Sequence, residues 1–180
     1  MTAIAGFVHD GHVWIGGDSA GVAGWDLTLR ADQKVFRNGE FLIGFSGSFR
    51  SGQLLRYSFK PPTHKENQDI YEFMVVDFVD AMRACLKAGG LAKRENEVET
   101  TDNGWALIGY RGRLFCMCPD YQIGEALDPF DAIGCGSLIC RGAMYAEADE
   151  TIPEDRVLTA LKAAEHMNAG VRGPFHIEKL

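Results

Sequence analysis

The chain has 180 residues, 46% of them hydrophobic and 24% charged, which fits one globular domain over 1–180 with a full core. A formal net charge of -7 argues against nucleic-acid or anionic-membrane partners, which need a basic face. No run approaches the roughly 20 apolar residues of a membrane span, no basic leader opens the chain, and the expected location is cytoplasmic.

The first elements read as strands. TAIAGFVH is almost wholly apolar, as a strand buried on both faces should be. Asp10-Gly11 predicts a tight hairpin into HVWIGGDS. Residues 19–32 read as a connection containing Gly and Trp25, followed by the strand QKVFR. Asn38-Gly39 predicts a second hairpin into EFLIGFSG.

A helix is expected within 48–59, with Leu54, Leu55 and Phe59 on its apolar side. Pro61-Pro62 breaks the chain before an amphipathic helix over Ile70–Lys87. Its apolar stripe is Ile70, Met74, Phe78, Ala81, Met82 and Cys85, and Gly89-Gly90 ends it. The charged stretch 91–102 reads as a mobile loop.

WALIGY, a turn at Arg111-Gly112 and RLFCMC predict a third hairpin. Strands follow in 120–126 and in FDAIGCG, then a small-residue helix to about Asp149. Pro153 with Glu154 and Asp155 opens the next helix, which Asn168-Ala169-Gly170 ends. GPFHIEKL supplies a last strand. Hairpins imply antiparallel sheets, and the amphipathic helices need faces to cover. The expected class is α+β: an α/β/β/α four-layer sandwich of two antiparallel sheets flanked by helix pairs.

The five Cys, at 85, 116, 118, 135 and 140, are an odd number and fit a reducing compartment. Cys116 and Cys118 alternate along a strand without zinc-site spacing, so no metal and no cofactor is expected. His9 and His12 read as hairpin-end residues.

In GGDSAG, Ser19 attracts the eye as a nucleophile, yet no His–Asp partner accompanies it. Thr2 offers a different chemistry. Once Met1 is removed, its free α-amine lies beside its own hydroxyl, with a reference pKa of about 7.7–8.0 that suits a base near neutral pH. Asp18 follows Thr2 by 16 residues at the end of the second strand, and Lys34 follows Asp18 by 16. A hairpin brings Asp18 back beside the chain start. A Lys near the Thr would lower the pKa of hydroxyl and amine, and an Asp would keep that Lys charged.

The Thr start, GGDSAG, DQKVFR, FLIGFSGS and AIGCGSLICRGAMYAEAD together resemble the proteasome β-subunits and the bacterial ring protease HslV, which are N-terminal nucleophile hydrolases. The resemblance covers nearly the whole chain. It implies Thr2 as nucleophile, Asp18 and Lys34 as its charged partners, and the N–H of Gly47 or Ser48 as oxyanion donor. Cys135 stands where the family's Gly-Ser-Gly turn has Ser, and Asn168 and Val171 stand where the family has Asp and Ser. Gly21, Asp32, Phe36, Ser46 and Arg50 are implied to line the pocket for the residue preceding the cut, with Arg50 favouring acidic side chains. The implied activity is a threonine peptidase that self-associates into stacked rings, takes unfolded polypeptide or peptide, and is fed by an ATP-dependent unfoldase. A catalytically silent ring or scaffold subunit is the alternative.

Overall fold

The computed structural model describes every residue except 92, 96, 97, 102, 103 and 148–151. Strand β1 (Ala3–His9) is buried over its first five residues on both faces. Asp10 and Gly11 both take positive φ, 48° and 72°, the pair that a two-residue hairpin turn requires. Strand β2 (His12–Gly17) therefore returns with His12 opposite His9 and Trp14 opposite Phe7.

The connection at 19–32 is more ordered than its sequence suggests. It forms a ribbon of β3 (Ala20–Ala23) and β4 (Asp26–Leu29), with Trp25 fully exposed at the turn. Strand β5 (Val35–Asn38) pairs with β6 (Phe41–Ser46). Here the turn sits one residue later than Asn38-Gly39 predicts, at Gly39-Glu40, because Asn38 stays paired opposite Phe41. Its side-chain amide instead donates to the Leu55 and Phe59 carbonyls (2.9 and 3.0 Å), fastening the end of α1 (Phe49–Tyr57).

The expected helix over Ile70–Lys87 is a rod of three parts. These are α2 (Ile70–Phe73), a π-helical turn (Met74–Phe78) and α3 (Val79–Ala88). Its wider turn inserts a residue and rotates everything after it. The buried side chains are Phe73, Met74, Phe78, Val79, Met82 and Leu86, and the predicted Ile70, Ala81 and Cys85 are only partly buried. Asp69 caps the rod by accepting from the Glu72 amide.

Within the stretch read as a loop, β7 (Lys93–Glu95) pairs with β8 (Val98–Thr100), while its residues 92, 96, 97 and 102 lie outside the described ones. Strands β9 (Trp105–Tyr110) and β10 (Arg113–Met117) join across Arg111 and Gly112, and β11 (Ile123–Glu125) adds to them. Cys118 falls just beyond β10, so only Cys116 belongs to that strand. After β12 (Phe130–Gly134), α4 (Ser137–Ala146) stops before the expected Asp149, which lies outside the described residues. Helix α5 (Pro153–Met167) and β13 (His176–Lys179) complete the chain.

The strands form two larger antiparallel sheets, ordered β12-β1-β2-β13 and β11-β10-β9-β6-β5. Three apolar clusters hold the molecule. Ile4, Val13, Ile15, Val35, Leu42 and Leu107 join the two sheets. Ala3, Ala5 and Phe7 point the other way, onto Met144, Val157 and Leu161 of α4 and α5. Phe41, Ile43, Phe45 and Tyr110 meet Leu54, Phe78 and Met82 of α1, the π turn and α3. The strict alternation along β1 between two of these clusters is the period of two that a strand imposes. No helix among the described residues is long and apolar enough to cross a membrane.

Candidate active site

The hairpin from β1 to β2 delivers Asp18 beside the start of β1, as its backbone N–H donating to the Ala3 carbonyl (3.1 Å) records. The Asp18 carboxylate is almost wholly buried and accepts from four donors. Its Oδ1 takes the Lys34 ammonium at 2.7 Å and the Ala3 N–H at 3.0 Å. Its Oδ2 takes the Ala20 N–H at 3.0 Å and the Arg172 N–H at 3.3 Å. A buried carboxylate is tolerable only when paired and hydrogen-bonded in this way.

Lys34 lies just before β5, with its side chain 1% exposed. Burial pushes its ammonium below the ordinary lysine value, and the charge and hydrogen bond of Asp18 work against that fall.

Thr2 is buried under Met1, and its hydroxyl donates to the Met1 carbonyl. The turn Gly134-Cys135-Gly136 wraps it. The Gly136 N–H donates to the Thr2 carbonyl (3.3 Å), and the Thr2 N–H donates to Cys135 Sγ (3.3 Å). Gly134 has φ 90°, and a Cβ placed there would sit 2.3 Å from the Thr2 oxygen, so only Gly allows this approach. Asn168 closes the ring of contacts. Its Nδ2 donates to the Cys135 carbonyl (2.9 Å), and its Oδ1 takes the Gly170 N–H (2.8 Å) and the Cys135 thiol (3.5 Å). Val171 is fully buried in the α4–α5 cluster.

Ser19 is not poised for attack. Its hydroxyl donates to the Pro174 carbonyl (2.6 Å) and its N–H to Arg172. Gly47 has φ 96° and leads into Ser48, which caps α1 by accepting from the Arg50 N–H (3.1 Å).

A cavity of about 250 Å³ opens near Lys34, bounded by Arg30, Asp32, Phe45, Phe49, Gln53 and Arg56. The Phe49 ring lies 5.7 Å from the Lys34 ammonium and 4.3 Å from the Arg30 guanidinium. Of the residues that the resemblance assigns to this pocket, Asp32 lines it. Phe36 and Ser46 are buried in the sheet, with Phe36 stacked under Arg56 (4.7 Å). Gly21 lies in β3 against the Arg30 side chain, and Arg50 is exposed outside the lining. Arg30, Phe49 and Arg56 went unnoticed in the sequence. The spacing Arg30-Ala31-Asp32 could have indicated the first, since residues two apart on an extended chain share a side. Arg30 grips Asp32 through two hydrogen bonds (2.6 and 2.8 Å) and holds its carboxyl below the usual range.

Comparison with solved structures now bears on this geometry. BPH of Thiobacillus denitrificans superposes with a TM-score of 0.81 at 20% identity, over 99% of this chain and 97% of that one. The eukaryotic HslV of Trypanosoma brucei gives 0.71 at 16%, over 99% and 98%. Anbu, the ancestral β-subunit, from Yersinia bercovieri gives 0.68 at 17%, over 98% and 80%.

The chain has the proteasome-like fold of HslV and Anbu.

No protein-family model matches the sequence, and no curated protein matches it. Identities this low speak for the proteasome-like fold alone, so the reading of the site rests on its own residues.

Proposed function

We propose that this chain is a threonine-type peptidase subunit of a proteasome-like ring, acting through Thr2 once the Met1–Thr2 bond is cut. The observation that carries the reading is the buried Asp18–Lys34 pair at 2.7 Å, tied through the Ala3 N–H to the residue that follows Thr2. A buried ion pair of this kind is a costly device unless it positions or polarises something. The packing of two sheets between helix pairs supports the four-layer α/β/β/α arrangement of an N-terminal nucleophile hydrolase.

In this reading the Thr2 hydroxyl oxygen attacks the peptide carbonyl carbon, and its proton passes to the Thr2 α-amine. Lys34 lowers the pKa of both groups by its charge, and Asp18 holds Lys34 in place. The tetrahedral oxyanion is taken by the N–H of Gly47 or Ser48, at the start of α1. The leaving amine departs with the proton, and water then cleaves the Thr2 ester. Cys135 Sγ accepts from the Thr2 nitrogen, and Asn168 holds the Cys135 turn through the Cys135 carbonyl. While Met1 remains attached, the Thr2 nitrogen is a peptide amide and cannot serve as base.

Self-association into stacked rings, an inner chamber taking unfolded chains, an ATP-driven unfoldase partner and a cytoplasmic location complete the proposal. The alternative of a silent scaffold subunit is favoured by one observation, the neutral Asn168 beside the turn where the family carries an Asp. Thr2→Ala decides between them. With mature N-termini verified by sequencing, the peptidase reading expects wild-type hydrolysis of fluorogenic peptides and none from Thr2→Ala, with the oligomer preserved. A wild type that starts at Thr2 and remains inert supports the scaffold. Epoxomicin, with which BPH of Thiobacillus denitrificans is solved in complex, is expected to inhibit the wild type.

A further inference from the structure

Met1 is 59% exposed, yet Thr2 and Ala3 behind it are buried. They lead into β1, an inner strand between β12 and β2. The Ala3 N–H donates to Asp18 Oδ1 (3.0 Å), and the Ala3 carbonyl accepts from the Asp18 N–H (3.1 Å). The Thr2 N–H donates to Cys135 Sγ, and the Thr2 carbonyl accepts from the Gly136 N–H, both at 3.3 Å. The Thr2 hydroxyl is turned onto the carbonyl of the Met1–Thr2 bond itself. The Met1 side chain is seated on Gly170: a Cβ added to that glycine would lie 2.5 Å from Met1 Sδ and 2.6 Å from Met1 Cβ. The Met1–Thr2 bond is therefore held on both sides, by partners that the fold gathers from residues 18, 135, 136 and 170.

We infer that folding locks Met1 in place: the Met1–Thr2 bond is open to a methionine aminopeptidase only before the chain folds, and a subunit that folds with Met1 attached keeps it. The lock stands on these contacts alone; that a locked subunit is silent rests on the peptidase reading. In the hydrolysis, water adds to the Met1 carbonyl carbon, the C–N bond to Thr2 breaks, free methionine leaves, and the Thr2 nitrogen takes the proton. An aminopeptidase has to draw Met1 and its carbonyl into its own active site. It reaches that carbonyl only if Thr2 and Ala3 come away from the Gly134–Gly136 turn and from Asp18. Such an opening breaks four backbone hydrogen bonds and exposes buried chain, so the open form is rare. In an unfolded chain the same partners are scattered along the sequence and the bond is free. The share of active subunits is then set by a race between Met1 removal and folding.

The test makes the full chain in a reconstituted translation system that lacks aminopeptidase and formyl donor. Purified methionine aminopeptidase is added either during synthesis or after folding. Intact mass spectrometry reads whether Met1 is present, whatever the mature chain does to peptides. Early addition is expected to give chains that start at Thr2. Late addition is expected to remove Met1 at least about 100-fold more slowly, because cleavage then follows the population of the open form. Gly170→Ala is expected to raise the late rate about 10-fold, since its clash includes Met1 Cβ and forces the first residue off its seat. Met1 surviving early addition, late removal within about 10-fold of the early rate, or a late rate that Gly170→Ala leaves unchanged overturns the inference. Loss of Met1 from the folded chain with no aminopeptidase present overturns it as well. Chains that start at Thr2 only after early addition, yet cut no peptide, sink the peptidase reading and leave the lock standing.

Discussion

Asp18→Asn should be far more damaging to stability than its conservative appearance suggests. Asp18 and Lys34 are each 2% exposed, and the ammonium makes its 2.7 Å contact with this one carboxylate. Removing the carboxylate's charge leaves a buried cation unpaired, a loss of about 3–5 kcal/mol. Lys34→Met should cost less, about 1–3 kcal/mol, because the carboxylate keeps the Ala3, Ala20 and Arg172 N–H donors. Removing both partners leaves neither charge stranded, so the double variant should fall short of the sum by at least about 1.5 kcal/mol. For a chain of this size the first variant translates to a Tm drop of about 6–20 °C. The sign of the pH dependence follows from the lowered Lys34 value. Between that value and the ordinary one the unfolded chain binds more protons, so stability rises with pH there. Without Asp18 the window widens downward, and the deficit of the variant should shrink as pH rises from neutral towards 9. Urea melts followed by circular dichroism, at fixed protein concentration, measure all four species. Additivity within about 0.5 kcal/mol, or an Asp18→Asn cost under about 1 kcal/mol, would refute the argument.

Other consequences are as direct. Peptide hydrolysis by the form starting at Thr2 should rise with pH and level off below about 8, the free-amine value that the Lys34 charge lowers; a profile that keeps rising to about pH 9 would exclude that amine as the base. Gly134→Ala should destabilise the fold by about 1–3 kcal/mol, from its left-handed backbone alone, and should displace Thr2, which urea melts and peptide assays measure together. Cys135 is exposed and touches the Thr2 nitrogen, so iodoacetamide should inactivate the wild type, and Cys135→Ser should escape that inactivation. Mass spectrometry of the alkylated protein identifies the site, and loss of activity without a modified Cys135 would count against the placement.

Local patterns carried most of the fold into the sequence. The Asp10-Gly11 and Arg111-Gly112 pairs mark turns by their backbone preference alone, and β1 shows its double burial by having almost no polar residue. The π turn at Met74–Phe78 leaves no such mark, because inserting a residue into the rod changes phase without changing composition. The ribbon of β3 and β4 was hidden for a related reason: its exposed Leu27, Leu29 and Trp25 do not alternate against a core. At the site, Thr2, Asp18 and Lys34 were legible through the hairpin that joins them and through the resemblance. The cavity was less so. Arg50 and Arg56 both belong to α1, yet six residues turn the helix by about 240°, so they point to different sides. Which of the two faces meets the cavity is decided by how α1 packs, with Arg56 on the Phe36 ring and Arg50 turned to solvent.

The Asp18 carboxylate collects donors from residues 3, 20, 34 and 172. The last of these is 154 positions away along the chain. During synthesis, therefore, Lys34 can find its partner early, but the pocket around the carboxylate stays open until the segment after α5 has emerged and folded back. The geometry that would make Thr2 reactive is among the last contacts that the chain can complete. On the proposed peptidase reading, timing of this kind would be a safeguard that needs no inhibitor, since a half-made subunit would have no finished site with which to cut its neighbours.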